Sequence, residues 1–278
     1  MKKPLFIAEL TINHLGMINI AKTMIKAAKN SGADFVKLKI KKVDKYYKTE
    51  VNKWRSFEFL DYRKSLELKE EDFYELDKFC QDIGIKWFAT IHDQETLRFI
   101  QKLNPPMYKV ASMDSDKDSL VDEVIKICKN EQKPLVLSIG GKSEGFTQEI
   151  IKKIKSHKIK SYILHTVSIY PTPIGRCNIN YIPHLIKTYQ DDNIKIGYSG
   201  HEEGIAPSIL ASTYGVSMIE RHFTISKDYL IHHIKTAISP EEFANMVSII
   251  NDILMEQNSD FKAEDKEELE FLKQIKYK

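Results

Sequence analysis

Two segments, one near the start of the chain and one beyond residue 190, end apolar runs on side chains that can do chemistry. Phe6-Ile7-Ala8-Glu9 passes into Thr11-Ile12-Asn13-His14, and Ile196-Gly197-Tyr198-Ser199-Gly200-His201 is answered by Met218-Ile219-Glu220-Arg221-His222-Phe223. A carboxylate such as Glu9 can hold or release a proton according to its burial and neighbours. Neutral imidazoles such as His201 and His222 suit Mn²⁺, Fe²⁺, Co²⁺ or Zn²⁺ and leave positions on the cation for water or a carbonyl oxygen. Each has a plainer reading, as an acceptor for backbone amides or as a hydrogen-bonded ring. Lys37 and Lys109 lie in the apolar runs Phe35-Val36-Lys37 and Tyr108-Lys109-Val110. A buried ammonium needs a counter-charge, which a phosphate or carboxylate ligand would supply. Thr90, Ser112 and Ser138 end other runs and can donate to phosphate oxygens, although each alone also suits a turn or a cap.

Elements that would bring these residues together alternate along nearly the whole chain. Strand-like runs cover Leu5 to Leu10, Ala33 to Leu38, Ile85 to Thr90, Met107 to Val110, Pro134 to Ser138, Ser161 to His165, Ile194 to Gly197 and Ser217 to Glu220. Amphipathic stretches fall between them, clearest at Ile18 to Asn30, Gln94 to Leu103, Ser119 to Asn130, Thr147 to Ser156 and Ile205 to Tyr214, with a last one from Pro240 to Met255. Gly32 is a C-terminal stop for the first helix, and Ser239-Pro240 fits an N-cap followed by a first-turn proline. Eight such units predict an α/β fold, a (β/α)8 TIM barrel in a single domain, whose strand ends share one mouth. The stretch from Lys39 to about Lys69 is too long for an ordinary connection. With Tyr46, Tyr47, Trp54, Phe57, Phe59 and Tyr62 it reads as an insertion overhanging the mouth. Residues 1–256 are expected to form the barrel and 257–278 a charged tail or helix.

Composition excludes several classes. The net charge of +3 is small beside 42 basic and 39 acidic residues, and the lysines are dispersed, so no nucleic-acid footprint emerges. Cys80, Cys128 and Cys177 are too far apart for a metal motif and form no disulfide framework. No run is apolar enough for export or for spanning a bilayer, which predicts a cytoplasmic enzyme.

The runs through Glu9-Leu10-Thr11-Ile12-Asn13-His14-Leu15-Gly16, Val36-Lys37, Tyr108-Lys109-Val110, Leu135-Val136-Leu137-Ser138, Ile169-Tyr170-Pro171-Thr172-Pro173, Gly197-Tyr198-Ser199-Gly200-His201 and Glu220-Arg221-His222-Phe223-Thr224 resemble, in order and spacing, the barrel domain of the sialic acid synthase (N-acetylneuraminate synthase, NeuB-like) family. The resemblance extends to about Pro240. It implies condensation of phosphoenolpyruvate with the open-chain aldehyde of an N-acylated hexosamine or related sugar, with C–O cleavage of the enol phosphate, release of phosphate and formation of a nonulosonic acid. It also implies a divalent metal, Mn²⁺ first with Mg²⁺ or Co²⁺ as alternatives, held by His201 and His222, and a homodimer. Glu9 would be the acid/base, with His14 beside it and Asn13 lining the site. Lys37, Lys109, Thr90, Ser112, Ser138 and Tyr170 would hold the enol phosphate.

Departures from the family pattern fall around the second substrate. Lys39 stands where the family has Gln, and would reinforce anion binding or pair with an acid such as Asp114, itself in place of Glu. Ser168 replaces Asn, Gly200 replaces Asp, and His233 stands where an acceptor-binding Asp is expected. Family members carry a small antifreeze-like domain after the barrel, which reaches over the partner's mouth with an arginine, and the chain is expected to lack it. The aromatic insertion, or a separate protein, would then supply the cover. Two further readings follow: a lyase or transferase that keeps the phosphoenolpyruvate half and changes the other substrate, or a non-catalytic subunit.

Overall fold

The computed structural model describes residues 2–47, 53–54, 57–259 and 265–276. Eight parallel strands close into a barrel: β1 (Leu5–Thr11), β2 (Phe35–Lys39), β5 (Lys86–Ile91), β6 (Tyr108–Val110), β7 (Leu135–Ser138), β8 (Ser161–His165), β9 (Ile194–Gly200) and β10 (Met218–His222), in the circular order β1-β10-β9-β8-β7-β6-β5-β2. The numbers between are a two-residue antiparallel ribbon in the insertion, β3 (Lys53–Trp54) with β4 (Phe57–Glu58). Helices α1 (Ile18–Asn30), α2 (Val43–Tyr46), α3 (Phe59–Ser65), α4 (Glu70–Ile83), α5 (Gln94–Lys102), α6 (Asp118–Glu131), α7 (Glu144–Ser156), α8 (Tyr181–Tyr189), α9 (Ala206–Thr213), α10 (Pro240–Gln257) and α11 (Lys266–Lys276) complete the chain.

Local chemistry explains the elements. In α1 the buried residues Ala21, Met24, Ile25 and Ala28 recur at helical spacing and face the barrel. Gly32 follows at φ +90°, where a side chain would be strained. Ser239 accepts from the Glu242 amide and Glu242 returns a bond to the Ser239 amide, a capping box that starts α10 with Pro240 in the first turn. The fully exposed α11 buries none of its residues. Among the described residues no helix is long and apolar enough to cross a membrane.

Inside the barrel the two-residue period of the strands sorts chemistry by depth. Ile7, Phe88, Met107, Val136, Leu164 and Met218 form an apolar plug, with Phe35 packed against it. Two positions further along the same strands come Glu9, Thr90, Lys109, Ser138, Thr166, Glu220 and Lys37. On β9 the plug position is Gly197, where a Cβ would lie 2.4 Å from Leu164, and Ser199 follows two residues on. Six buried side chains, the partly buried Phe35 and a glycine therefore floor a polar layer. The outer strand faces, such as Phe6, Ala8, Leu10, Val36 and Leu38, join the helices in the main core.

The insertion does reach the mouth. Tyr46 at the end of α2 donates to Asp114, and Tyr47 and Phe59 line a groove beside the opening. The side chains of Trp54 and Phe57, and residues 48–52, 55–56, 260–264 and 277–278, lie outside the described set.

Candidate active site

Register puts Glu9 beside Lys37 on one neighbour and beside His222 on the other. Lys37 Nζ lies 2.8 Å from Glu9 Oε2 and 2.9 Å from Glu220 Oε1. Lys39 Nζ reaches Glu9 Oε1 at 2.8 Å, and Lys109 Nζ sits 3.5 Å from Glu220 Oε1 while donating to Ser138 Oγ at 2.6 Å. Ser199 donates to Glu220 Oε1 at 2.9 Å. Lys37, Lys39 and Lys109 against Glu9 and Glu220 leave one positive charge among these five groups, in a cavity of about 230 Å³ that Lys41 also lines.

Titration follows from that arrangement. Burial alone would raise the Glu9 carboxyl, but Lys37 and then Lys39 hold it well below the usual carboxylate range. Burial would lower Lys37, yet Glu220 and Glu9 keep it above its ordinary value. Glu220, also opposed by burial, is lowered by Lys109 and Lys37. For Lys109 burial wins and the ammonium falls to about 8, and burial lowers Lys41 on the same cavity wall to about 7, so both are cations that an arriving anion would stabilise.

Hydroxyls surround the same space. Thr90 Oγ1 is buried without a hydrogen-bond partner, as is Glu220 Oε2. The Gly140 amide donates to Ser112 Oγ, and a Cβ at Gly140 would fall 2.6 Å from Ser168 Oγ and 2.7 Å from Thr166 Cγ2. Only a glycine leaves room for that convergence.

At the outer edge His201 and His222 face each other, ring centroids 5.2 Å apart. Their tautomers can be read from their partners. His201 Nδ1 lies 2.8 Å from the Val167 carbonyl, which can only accept, so Nδ1 carries the proton. Thr236 gives its hydroxyl proton to the His233 carbonyl and therefore accepts from His222 Nδ1. Both Nε2 lone pairs are left, and His222 Nε2 lies 3.6 Å from Glu9 Oε2. Two neutral imidazoles with facing rings and free Nε2 lone pairs, each Nδ1 proton held by an acceptor, are a donor pair of the kind that suits a divalent cation, although among the described residues no three His, Cys, Asp or Glu side chains are grouped to hold one. Burial pushes His201 down to about 4 and His222 well below the ordinary imidazole value, which keeps both neutral. Behind them Arg221 and Glu202, both fully buried, pair at 2.9 Å.

The remaining expected residues divide. Ser168 and Tyr170 line the cavity, and the Tyr170 ring lies 4.2 Å from that of His201 and 4.3 Å from that of His233. His233 itself lines the adjoining groove with His232, Tyr47 and Phe59. Asn13 and His14 are not among the lining residues: Asn13 donates to the Phe223 carbonyl, and buried His14 accepts from the Gly16 amide. Lys39 pairs with Glu9 rather than with Asp114. Asp114 is fully buried and is not at the cavity wall, where its partner His92 is found. Glu220, Ser199, Thr166, Lys41 and His92 line the cavity without having been singled out as site residues from sequence. Of these, Glu220 alone had a signal, the alternation Met218, Glu220, His222 on one strand face. A separate hollow of about 600 Å³, lined by Lys129, Lys133 and Lys158 among others, lies near the amino ends of β7 and β8, away from these groups.

Comparison with known proteins adds independent information. Residues 24–260 match the model of the NeuB family. An uncharacterized protein of Methanocaldococcus jannaschii is 36% identical over 250 residues, 89% of this chain and 70% of that one. The N-acetylneuraminate-9-phosphate synthase of Mus musculus is 31% identical, over 88% of this chain and 69% of its own. Among solved structures, the N-acetylneuraminic acid (sialic acid) synthetase of Leptospira borgpetersenii serovar Hardjo-bovis, in complex with citrate, superposes with a TM-score of 0.84 at 25% identity, covering 99% of this chain and 94% of that one.

Proposed function

This chain belongs to the NeuB family, and on that premise we propose that it is a phosphoenolpyruvate-dependent synthase joining the enol carbon to a sugar aldehyde to form a nonulosonic acid and phosphate. The observation that carries the reading is the polar layer above the apolar plug, where a net positive charge, the unpartnered Thr90 hydroxyl and two buried carboxylates share one cavity. Lys109, Lys37 and the hydroxyls of Thr90, Ser112, Ser138 and Ser168 hold the phosphate and carboxylate of the donor. Tyr170 covers it. C3 of the enol phosphate attacks the aldehyde carbon, water adds to C2, and the resulting tetrahedral centre expels phosphate by breaking its C–O bond. Glu9 takes the proton of that water, a role supported by a carboxylate that Lys37 and Lys39 keep ionised.

His201 and His222 are the residues that would hold a divalent cation, Mn²⁺ first with Mg²⁺ or Co²⁺ as alternatives. Such a cation would polarise the aldehyde oxygen as a Lewis acid. A homodimer in the cytoplasm is the working assembly. The relative from Mus musculus is named for a phosphorylated product, so phosphorylated and free N-acyl hexosamines both belong among the acceptors. A second reading, the same donor half acting on a different electrophile, is favoured by Lys39 lying on Glu9 and by His233 beside Tyr170.

The test is phosphate release from phosphoenolpyruvate carrying ¹⁸O in its bridging position, with Mn²⁺ and a panel of N-acyl hexosamines, their phosphates and simpler aldoses. The synthase reading expects release that requires an N-acyl hexosamine and leaves the label in phosphate. Release with another electrophile alone selects the second reading, and no release with any acceptor overturns both.

A further inference from the structure

His92 follows β5, four strands around the barrel from β9 and therefore across the mouth from His201. Its side chain is 1% exposed, and its Nδ1 lies 2.6 Å from Asp114 Oδ2. Asp114 also accepts from Lys117 Nζ at 2.6 Å and from the Tyr46 hydroxyl at 3.2 Å, and the Tyr46 ring packs edge-on against His92, centroids 5.0 Å apart. A carboxylate with those donors is ionised and can only accept, so the His92 proton is on Nδ1 and the lone pair is on Nε2. Nε2 is buried and has no hydrogen-bond partner, and His92 is one of the residues that line the cavity. An acceptor buried in that way is unfavourable until a donor meets it.

The two substrates of the proposed reaction differ in whether they can supply that donor. Near neutral pH phosphoenolpyruvate presents phosphate and carboxylate oxygens, all acceptors, and these match the ammonium and hydroxyl groups of the floor. A sugar brings hydroxyl and amide N–H donors. We propose that His92, held in one tautomer by Asp114, is a specificity residue that accepts a hydrogen bond from a hydroxyl or N–H of the acceptor sugar, across the mouth from its aldehyde. The inference rests on the synthase reading. Burial holds the His92 ring at about 4, so it stays a neutral acceptor in the range where the enzyme would work. Asp114 acts through His92 as a positioning residue.

The experiment compares wild type with His92→Phe, His92→Met and His92→Gln in steady-state kinetics with both substrates varied. Replacing the acceptor by Phe or Met is expected to raise KM for the sugar about tenfold or more, as loss of one hydrogen bond to a buried group implies, with KM for phosphoenolpyruvate within about twofold. Gln, whose amide oxygen can accept, recovers part of the loss. A deoxy sugar lacking the group that His92 reads is used equally by wild type and His92→Phe. Unchanged sugar KM, or equal rises in both KM values, overturns the proposal, and His92→Met decides if His92→Phe fails to fold. A wild-type enzyme silent toward every aldose sinks the synthase reading instead, and direct titration of N-acyl hexosamines into wild type and His92→Met then still reads the hydrogen bond: equal affinities overturn it.

Discussion

Lys37 Nζ stands 2.9 Å from Glu220 Oε1, a contact that reaches from β2 over β1 to β10. With Glu9 at 2.8 Å on its other side, the ammonium separates two carboxylates that are each about 2% exposed. The family resemblance casts Lys37 as a substrate cation; the geometry adds that it keeps two buried anions apart. Such a group organises the site before any ligand arrives.

Lys37→Met therefore leaves two buried carboxylates facing each other. The expected loss is about 3–5 kcal/mol, as for breaking a buried pair from one side. Without Lys37 at least one carboxyl has a folded pKa above its unfolded value, so it is most stable protonated and loses stability as pH rises through the folded pKa. The deficit against wild type should be larger at pH 8 than at pH 5. Urea unfolding at both values checks it, and a deficit independent of pH would contradict the arrangement.

Lys39→Gln removes the second cation on Glu9 and frees Oε1. Glu9 then ionises at higher pH, and if its ionised form is the working one the acid limb of kcat moves up by about one pH unit, the scale of a neighbouring opposite charge. A profile that superimposes on wild type would remove Glu9 from the rate-determining protonation.

How much of this was legible from sequence differs by residue. All eight barrel strands can be read because a strand covered on both faces is a nearly continuous apolar run. The ends of β9 and β10 run on to Gly200 and His222, beyond the apolar signal, because their last turns of pleat line the polar layer rather than leaving the barrel. Glu220 is hidden inside such a run, since nothing local announces that Lys37 and Lys109 will meet it. His92 is invisible for a related reason: its partner Asp114 is 22 residues away and its own neighbours are those of an ordinary turn. Lys39 could be recognised as unusual, but its pairing with Glu9 rather than Asp114 is a contact between neighbouring strands, β2 and β1, that lie 30 residues apart in sequence.

Chelation tests the two histidines. With both Nε2 lone pairs free on residues that line the cavity, treatment with EDTA followed by gel filtration is expected to abolish condensation, and added Mn²⁺ to restore it. His201→Ala and His222→Ala should keep the fold and phosphoenolpyruvate binding but show no restoration. Full activity in chelator would leave the imidazoles as rim residues only.

The pair behind those histidines gives the last prediction. Arg221 Nη1 meets Glu202 Oε1 at 2.9 Å, donates to the Gly204 carbonyl and to Ser208, and its Nη2 donates to the Glu202 carbonyl. Glu202 in turn accepts from the Tyr198 hydroxyl at 2.7 Å. Glu202 directly follows His201 and Arg221 directly precedes His222, so one buried ion pair fixes the backbone that presents both rings. Glu202→Gln leaves the guanidinium buried without a matching charge, and a loss of about 3–5 kcal/mol is expected. Replacing both residues by Met removes the unmatched charge and should recover much of that stability, the signature of a pair rather than of two separate contributions. Recovery of stability need not bring recovery of function. The double variant has lost the side-chain tie between the two strand ends, so it should bind Mn²⁺ more weakly than wild type while unfolding at a similar urea concentration. A Glu202→Gln protein with wild-type stability and wild-type Mn²⁺ affinity would mean that the histidines are positioned by their own hydrogen bonds to Val167 and Thr236 alone.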